Sequence, residues 1–154
     1  MIDVEIEDPA WSAALPDAAA LAERAATAAL AGAPGDVAVL LTGDEAVARL
    51  NTDFRDKPGP TNVLSFPAAA SARPHLGDVA LAYGVCAREA AEQGKLLDHH
   101  LMHLVAHGVL HLVGYDHQTD AEAETMEALE RQLMQGLGAP DPYEVALPTG
   151  PHGR

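Results

Sequence analysis

Three of the eight histidines in this 154-residue chain, His107, His111 and His117, carry a spacing that could do chemistry. Four residues along a helix rotate a side chain by about 40°, so His107 and His111 project side by side from one face. Gly114 can take the left-handed conformation that turns the chain back, which lets His117 close the set. Three neutral imidazoles with one coordination position open are the pattern of a catalytic zinc, whereas structural zinc usually takes four protein ligands, mostly cysteines. The one cysteine, Cys86, is remote in sequence and reads as a small buried hydrophobe rather than a nucleophile.

The run His107-Gly-Val-Leu-His-Leu-Val-Gly-Tyr-Asp-His117 has the spacing of the metzincin zinc motif, with Gly108 where those proteases carry their general-base glutamate. Peptide hydrolysis thereby loses its base. A mid-helix glycine costs about 1 kcal/mol against alanine, so it needs a reason: room at the metal for a bulky phosphodiester, or close packing of a neighbouring element. His103, four residues before His107, reads as a core or supporting residue, because a fourth ligand would close the open position. Asp116 reads equally as a group that orients a ligand or activates water and as turn chemistry. His75, His99, His100 and His152 read as solvated groups in loops or near termini. The glutamates between 122 and 130 read as a solvated helix face, and Met126 as ordinary core.

These residues need a scaffold. Leu97 to Val113 is apolar in nearly every direction around a helix, which predicts a helix buried among other elements. Asp120 is expected to cap a charged helix to about Leu137, with Met126, Leu129, Leu133 and Met134 as its inner stripe. Upstream, Ile2, Val4 and Ile6 alternate with acidic residues as a half-buried strand that Pro9 stops. An Ala-rich helix capped by Asp17 follows to about Ala31, then a strand over 36–42 and a short helix over 45–51. Residues 54–62 read as a loop, 63–66 as a strand, 68–75 as a variable loop, 77–82 as a strand and 85–93 as a helix. The expected architecture is α+β: a mixed sheet of about four strands covered by helices, with the metzincin-like three-histidine site between the buried helix and the loop that carries Arg55. Residues 1–138 read as one domain and 139–154, rich in proline and glycine, as a flexible tail.

Hydrophobic residues make up 48% of the chain, enough for a core, while a single cysteine excludes a disulfide framework. The acidic, alternating start is unlike a secretory signal, and no uncharged apolar run reaches the roughly 18 residues of a membrane span. The expectation is a soluble cytoplasmic protein with no membrane partner. Nine Lys and Arg against 23 Asp and Glu give a net charge of −14, so any nucleic-acid function must rest on a local basic site.

The histidine run, together with Leu50-Asn-Thr-Asp-Phe-Arg-Asp-Lys57, Pro60-Thr-Asn-Val-Leu-Ser-Phe-Pro67 and Leu76-Gly-Asp-Val79, resembles the YbeY family of bacterial endoribonucleases. The resemblance implies a metal-dependent, single-strand-specific endoribonuclease that matures the 3′ end of small-subunit ribosomal RNA and takes part in ribosome quality control. Its implied partners are single-stranded RNA, ribosomal RNA, the small ribosomal subunit and its assembly factors. It implies His107, His111 and His117 as ligands of one zinc ion per chain, and matches the family's functional arginine to Arg55. That arginine also makes chemical sense, since a guanidinium can hold two phosphoryl oxygens as negative charge builds on them. Lys57 adds local positive charge for substrate binding. Zinc held by the histidines would activate water or polarise the phosphate, and either water or the RNA 2′-hydroxyl could attack. The competing readings are a metal-dependent hydrolase of another class, such as a peptidase, and a non-catalytic ribosome-associated module whose metal only holds the fold.

Overall fold

The computed structural model describes residues 1–55 and 61–143. Strand β1 (Ile2–Ile6) leads into α1 (Pro9–Ala14) and α2 (Ala18–Leu30), followed by β2 (Asp36–Thr42), α3 (Asp44–Arg55), β3 (Val63–Pro67), β4 (His75–Ala82), α4 (Tyr83–Gln93), α5 (Leu97–Leu112) and α6 (Asp120–Gly136). The four strands form one mixed sheet in the order β1-β2-β4-β3. β1 and β4 both run parallel to β2, with Val4 opposite Val39 and Val39 opposite Val79, while β3 lies antiparallel to β4 with Ser65 opposite Val79. The α+β architecture with a four-strand mixed sheet is the one the sequence predicts.

Helices cover both faces. Val37, Val39, Leu41, Val79 and Leu81 pack in one core with α2 and α5, whereas Leu64, Ala80 and Ala82 pack with Val47 of α3 on the other. α5 is the central post of the larger core. Leu101, Met102, Leu104, Val105, Ala106, Val109, Leu110 and Leu112 are all buried, as an all-round apolar helix must be.

Several local features differ from the expectation. α1 begins at Pro9, where the sequence reading placed only a strand stop. Asp8 accepts a hydrogen bond from the Ala10 amide, proline suits the first helical turn, and Trp11 is fully buried with its indole N–H donating to the Thr42 carbonyl at 2.9 Å. Asp17 holds the N-cap position of α2 but makes no side-chain cap. α3 runs four residues past the expected Asn51, because nothing from Asp44 to Arg55 is glycine or proline. The loop expected over 68–75 contains a single 3-10 turn at Ala70–Ala72, and β4 starts at His75 rather than Gly77. Thr119, not Asp120, caps α6: its hydroxyl accepts from the Glu122 amide and Glu122 accepts from the Thr119 amide, both at 3.1 Å, in a capping box.

The tail expected to be flexible from residue 139 is docked as far as Tyr143. Ala139 is buried, Lys95 donates to the Pro142 carbonyl at 2.7 Å, and Arg131 pairs with Asp141 at 3.2 Å. Residues 144–154, His152 among them, lie outside the described residues, and among those described no helix is long and apolar enough to cross a membrane.

Candidate metal centre

α5 descends onto the sheet at Gly108. A Cβ at this position would stand 2.6 Å from Val79 Cγ1 and 3.1 Å from Ser65 Oγ, and the Ser65 hydroxyl donates to the Gly108 carbonyl at 3.0 Å. Of the two reasons expected for this glycine, close packing is the one observed. The missing side chain opens no space at the histidines; it lets their helix sit against β3 and β4.

At the end of α5 the Gly114 amide donates to the His111 carbonyl and the Tyr115 amide to the Leu110 carbonyl. Gly114 has φ of +108°, a region that side chains rarely adopt, and the reversal brings His117 back to the other two rings. Ring centroids of His107 and His111 are 4.7 Å apart, those of His111 and His117 5.0 Å, and those of His107 and His117 5.8 Å. Each ring offers a nitrogen within 4.8 Å of the others. The Nε2 atoms of His107 and His111 stand 3.2 Å apart, close to the separation of about 3.3 Å that two tetrahedral ligands have with metal–nitrogen bonds of about 2.0–2.1 Å.

A second group, His103, His107 and Glu130, also converges. Glu130 is fully buried, and its Oε2 accepts from His103 Nε2–H and His107 Nδ1–H, both at 2.9 Å, while the Tyr143 hydroxyl donates to Oε1. A carboxylate only accepts, so it fixes His107 in the tautomer with the proton on Nδ1 and the lone pair on Nε2. This group is thus held together by protons, whereas the first triad faces a cavity. Burial alone would raise the Glu130 carboxyl, but the hydrogen bonds from His103, His107 and Tyr143 outweigh it and bring it down to about 2. His111 lies below the ordinary histidine value, first through burial and then through the charges of His107 and His117, which favours the neutral ring that metals bind.

The cavity holds about 600 Å³ and is lined by the three histidines, by β3 from Val63 to Ser65, by Asn51, Thr61 and Asn62, and by Gly114 to Gln118. Tyr115 is 39% exposed, and it is the one exposed large hydrophobic residue among the described residues that borders this cavity. Asp116 accepts from the His117 amide at 2.7 Å, which is turn chemistry; the carboxylate that meets a histidine of the triad is Glu130.

The sequence reading placed His103 correctly among supporting core residues and Met126 in the core. It misplaced four groups, the first being His75, which lies on β4 with its Nε2 3.0 Å from Asp78. Glu130 is not on a solvated face: Met126, Glu130 and Met134, spaced by four, are all buried, so the same spacing that marked the inner stripe could have found it. His99 and His100 lie on α5, and His100 is buried with its Nε2 at 3.0 Å from Glu89. Arg55 ends α3 instead of lying in a loop; its side chain, and all of Lys57, lie outside the described residues. Cys86 is buried as expected, and burial pushes its thiol up.

Residues 3–138 match the family model described as Endoribonuclease YbeY. A protein named Endoribonuclease YbeY from Maricaulis maris is 52% identical over 98% of this chain and 97% of its own length. Another from Azorhizobium caulinodans is 51% identical over 96% and 98% respectively. Among solved structures, the solution structure of TM1509 from Thermotoga maritima superposes with a TM-score of 0.56 at 23% identity, covering 94% of this chain and 99% of that one, a likeness of fold.

Proposed function

The chain belongs to the YbeY endoribonuclease family, and from that premise we propose that His107, His111 and His117 hold one metal ion at which single-stranded RNA is cut, and that the ion is zinc, because three histidines with one position open are the pattern of a catalytic zinc. The substrate is ribosomal RNA, at the 3′ end of the small-subunit RNA, in the cytoplasm and in company with the small subunit and its assembly factors. The observation that carries this reading is the convergence of three ring nitrogens at the wall of an open cavity. Bound there, the ion would supply Lewis acidity toward a phosphoryl oxygen.

The chain's own residues do the rest. Glu130 holds His107 with its Nε2 lone pair free. Thr61 and Gln118 offer a hydroxyl and an amide to base edges or ribose, and the exposed face of Tyr115 offers a stacking platform that a base can use only when it is unpaired. Arg55 holds phosphoryl oxygens and Lys57 adds attraction for the backbone, a local basic site that the −14 chain requires.

The test is cleavage of labelled single-stranded and duplex RNA by metal-loaded protein, beside His111→Ala and Arg55→Ala. The expected result is cutting of the single strand alone, lost in both variants, with Arg55→Ala still folded and metal-loaded. Intact RNA, or metal-dependent peptide cleavage in its place, would overturn the proposal. Full activity of Arg55→Ala would remove the role given to that residue, and the chemistry of the product ends separates attack by water from attack by the 2′-hydroxyl.

A further inference from the structure

Glu130 sits at the junction of three elements. It projects from α6, receives two ring N–H groups from α5, and receives a hydroxyl from Tyr143 in the segment that follows α6. Its side chain is 1% exposed, so every lone pair that lacks a donor is costly. Oε2 is occupied by the two histidines. Oε1 has the Tyr143 hydroxyl, and with that donor the carboxylate has one rotation in which both oxygens are satisfied. The Tyr143 ring itself is held from two sides, edge-on to His103 at 5.5 Å and beneath the Arg131 guanidinium at 5.2 Å. The Lys95–Pro142 hydrogen bond and the Arg131–Asp141 ion pair fix the backbone that carries it.

We propose that Glu130 and Tyr143 are a positioning pair for the metal ligand His107, which makes the docked segment 139–143 part of the metal centre rather than a trailing end. The inference rests on the three-histidine reading above. Tyr143 touches neither substrate nor metal; it holds the Glu130 carboxylate in the orientation that presents Oε2 to His107 Nδ1–H, and the carboxylate in turn aims Nε2 and strengthens it as a donor to the ion. A purely structural role would leave the ion's affinity for folded protein untouched.

The measurement is zinc affinity of the full-length protein by competition with a chromogenic chelator, with the visible spectrum of the cobalt(II) form as a second readout and the melting temperature of metal-free protein as the control for folding. Wild type and His111→Ala come first: strong binding that His111→Ala loses establishes the site. Equal binding by both overturns the three-histidine reading and this inference with it. Given that site, Tyr143→Phe, which removes one oxygen atom, weakens zinc binding several-fold and shifts the cobalt bands. Glu130→Gln weakens binding by about 10–100-fold. Tyr143→Phe and Glu130→Gln proteins that melt lower yet bind zinc with wild-type affinity and an unchanged cobalt spectrum would overturn the inference alone. Should Glu130→Gln fail to fold, Tyr143→Phe decides the matter by itself.

Discussion

Gly108→Ala sets two effects of opposite sign against each other. Helix propensity alone favours the substitution by about 1 kcal/mol. Against it stands a Cβ placed 2.6 Å from Val79 Cγ1, where carbon atoms rest at about 3.5–4.0 Å. Val79 cannot easily give way: it is fully buried, it is β-branched with a stiff χ1, and its strand is flanked by Val39 on one side and Ser65 on the other. Overpacking of this kind costs about 1–3 kcal/mol, and the rigidity of the neighbour places this site at the upper end. The expected net loss is about 2 kcal/mol, which for a chain of this length lowers the melting temperature by roughly 4–8 °C. Because the relief comes from lifting α5 off the sheet, His107 and His111 shift with it, and zinc affinity falls as well. Differential scanning calorimetry of Gly108→Ala, Val79→Ala and the double variant tests the cause, since a smaller residue at 79 removes the clash and the two changes should couple favourably. A Gly108→Ala protein that melts at or above the wild-type temperature, or costs that simply add in the double variant, would refute the packing argument.

Tyr115→Ala is expected to raise KM for single-stranded RNA by about tenfold with kcat and zinc affinity nearly unchanged, while Tyr115→Phe keeps the stacking face and stays near wild type; equal kinetics for the alanine variant would remove the stacking role. His100 is held below the ordinary histidine value by burial, with Glu89 opposing. Its folded-state value lies under the unfolded one, so on acidification the unfolded chain takes up the proton first. Its contribution to stability is whole above about pH 6.5 and is lost as the pH falls through that value toward the folded one. His100→Gln should therefore flatten the decline of unfolding free energy between pH 7 and pH 5, as measured by urea titration; an unchanged slope would assign the decline to other groups.

Much of the architecture is written in local patterns. The alternation in β1, the apolar run of β2 and the all-round hydrophobicity of α5 each state one periodicity over enough residues to be read, and they recur in the structure. Shorter or competing signals failed. α1 spans only six residues, too few for a periodic stripe, and its Asp8-Pro9 start has a second reading as the end of a strand. At Thr119-Asp120 both residues are good caps, and only the reciprocal bond from Glu122 separates them. The three-histidine set was legible because its members lie within eleven residues of sequence. The partners that hold it were not: Glu130 is 23 residues from His107, and Glu89 is 11 from His100 across a helix boundary. A charged residue on a charged helix carries no mark of burial except its phase with Met126 and Met134.

The helix that bears two of the three histidines is also the post around which the larger core is assembled. Its amides should be among the last to exchange with deuterated solvent, opening only when the whole molecule does. If the three histidines are the reacting centre, two of them are held by the most protected element of the fold. The same economy narrows the routes by which it can change, because a substitution that adjusts the reaction from within α5 is felt at once as a folding defect. Adaptation to a different RNA has freer ground at the rim, at Thr61, Tyr115 and Gln118, which border the cavity but lie off the post.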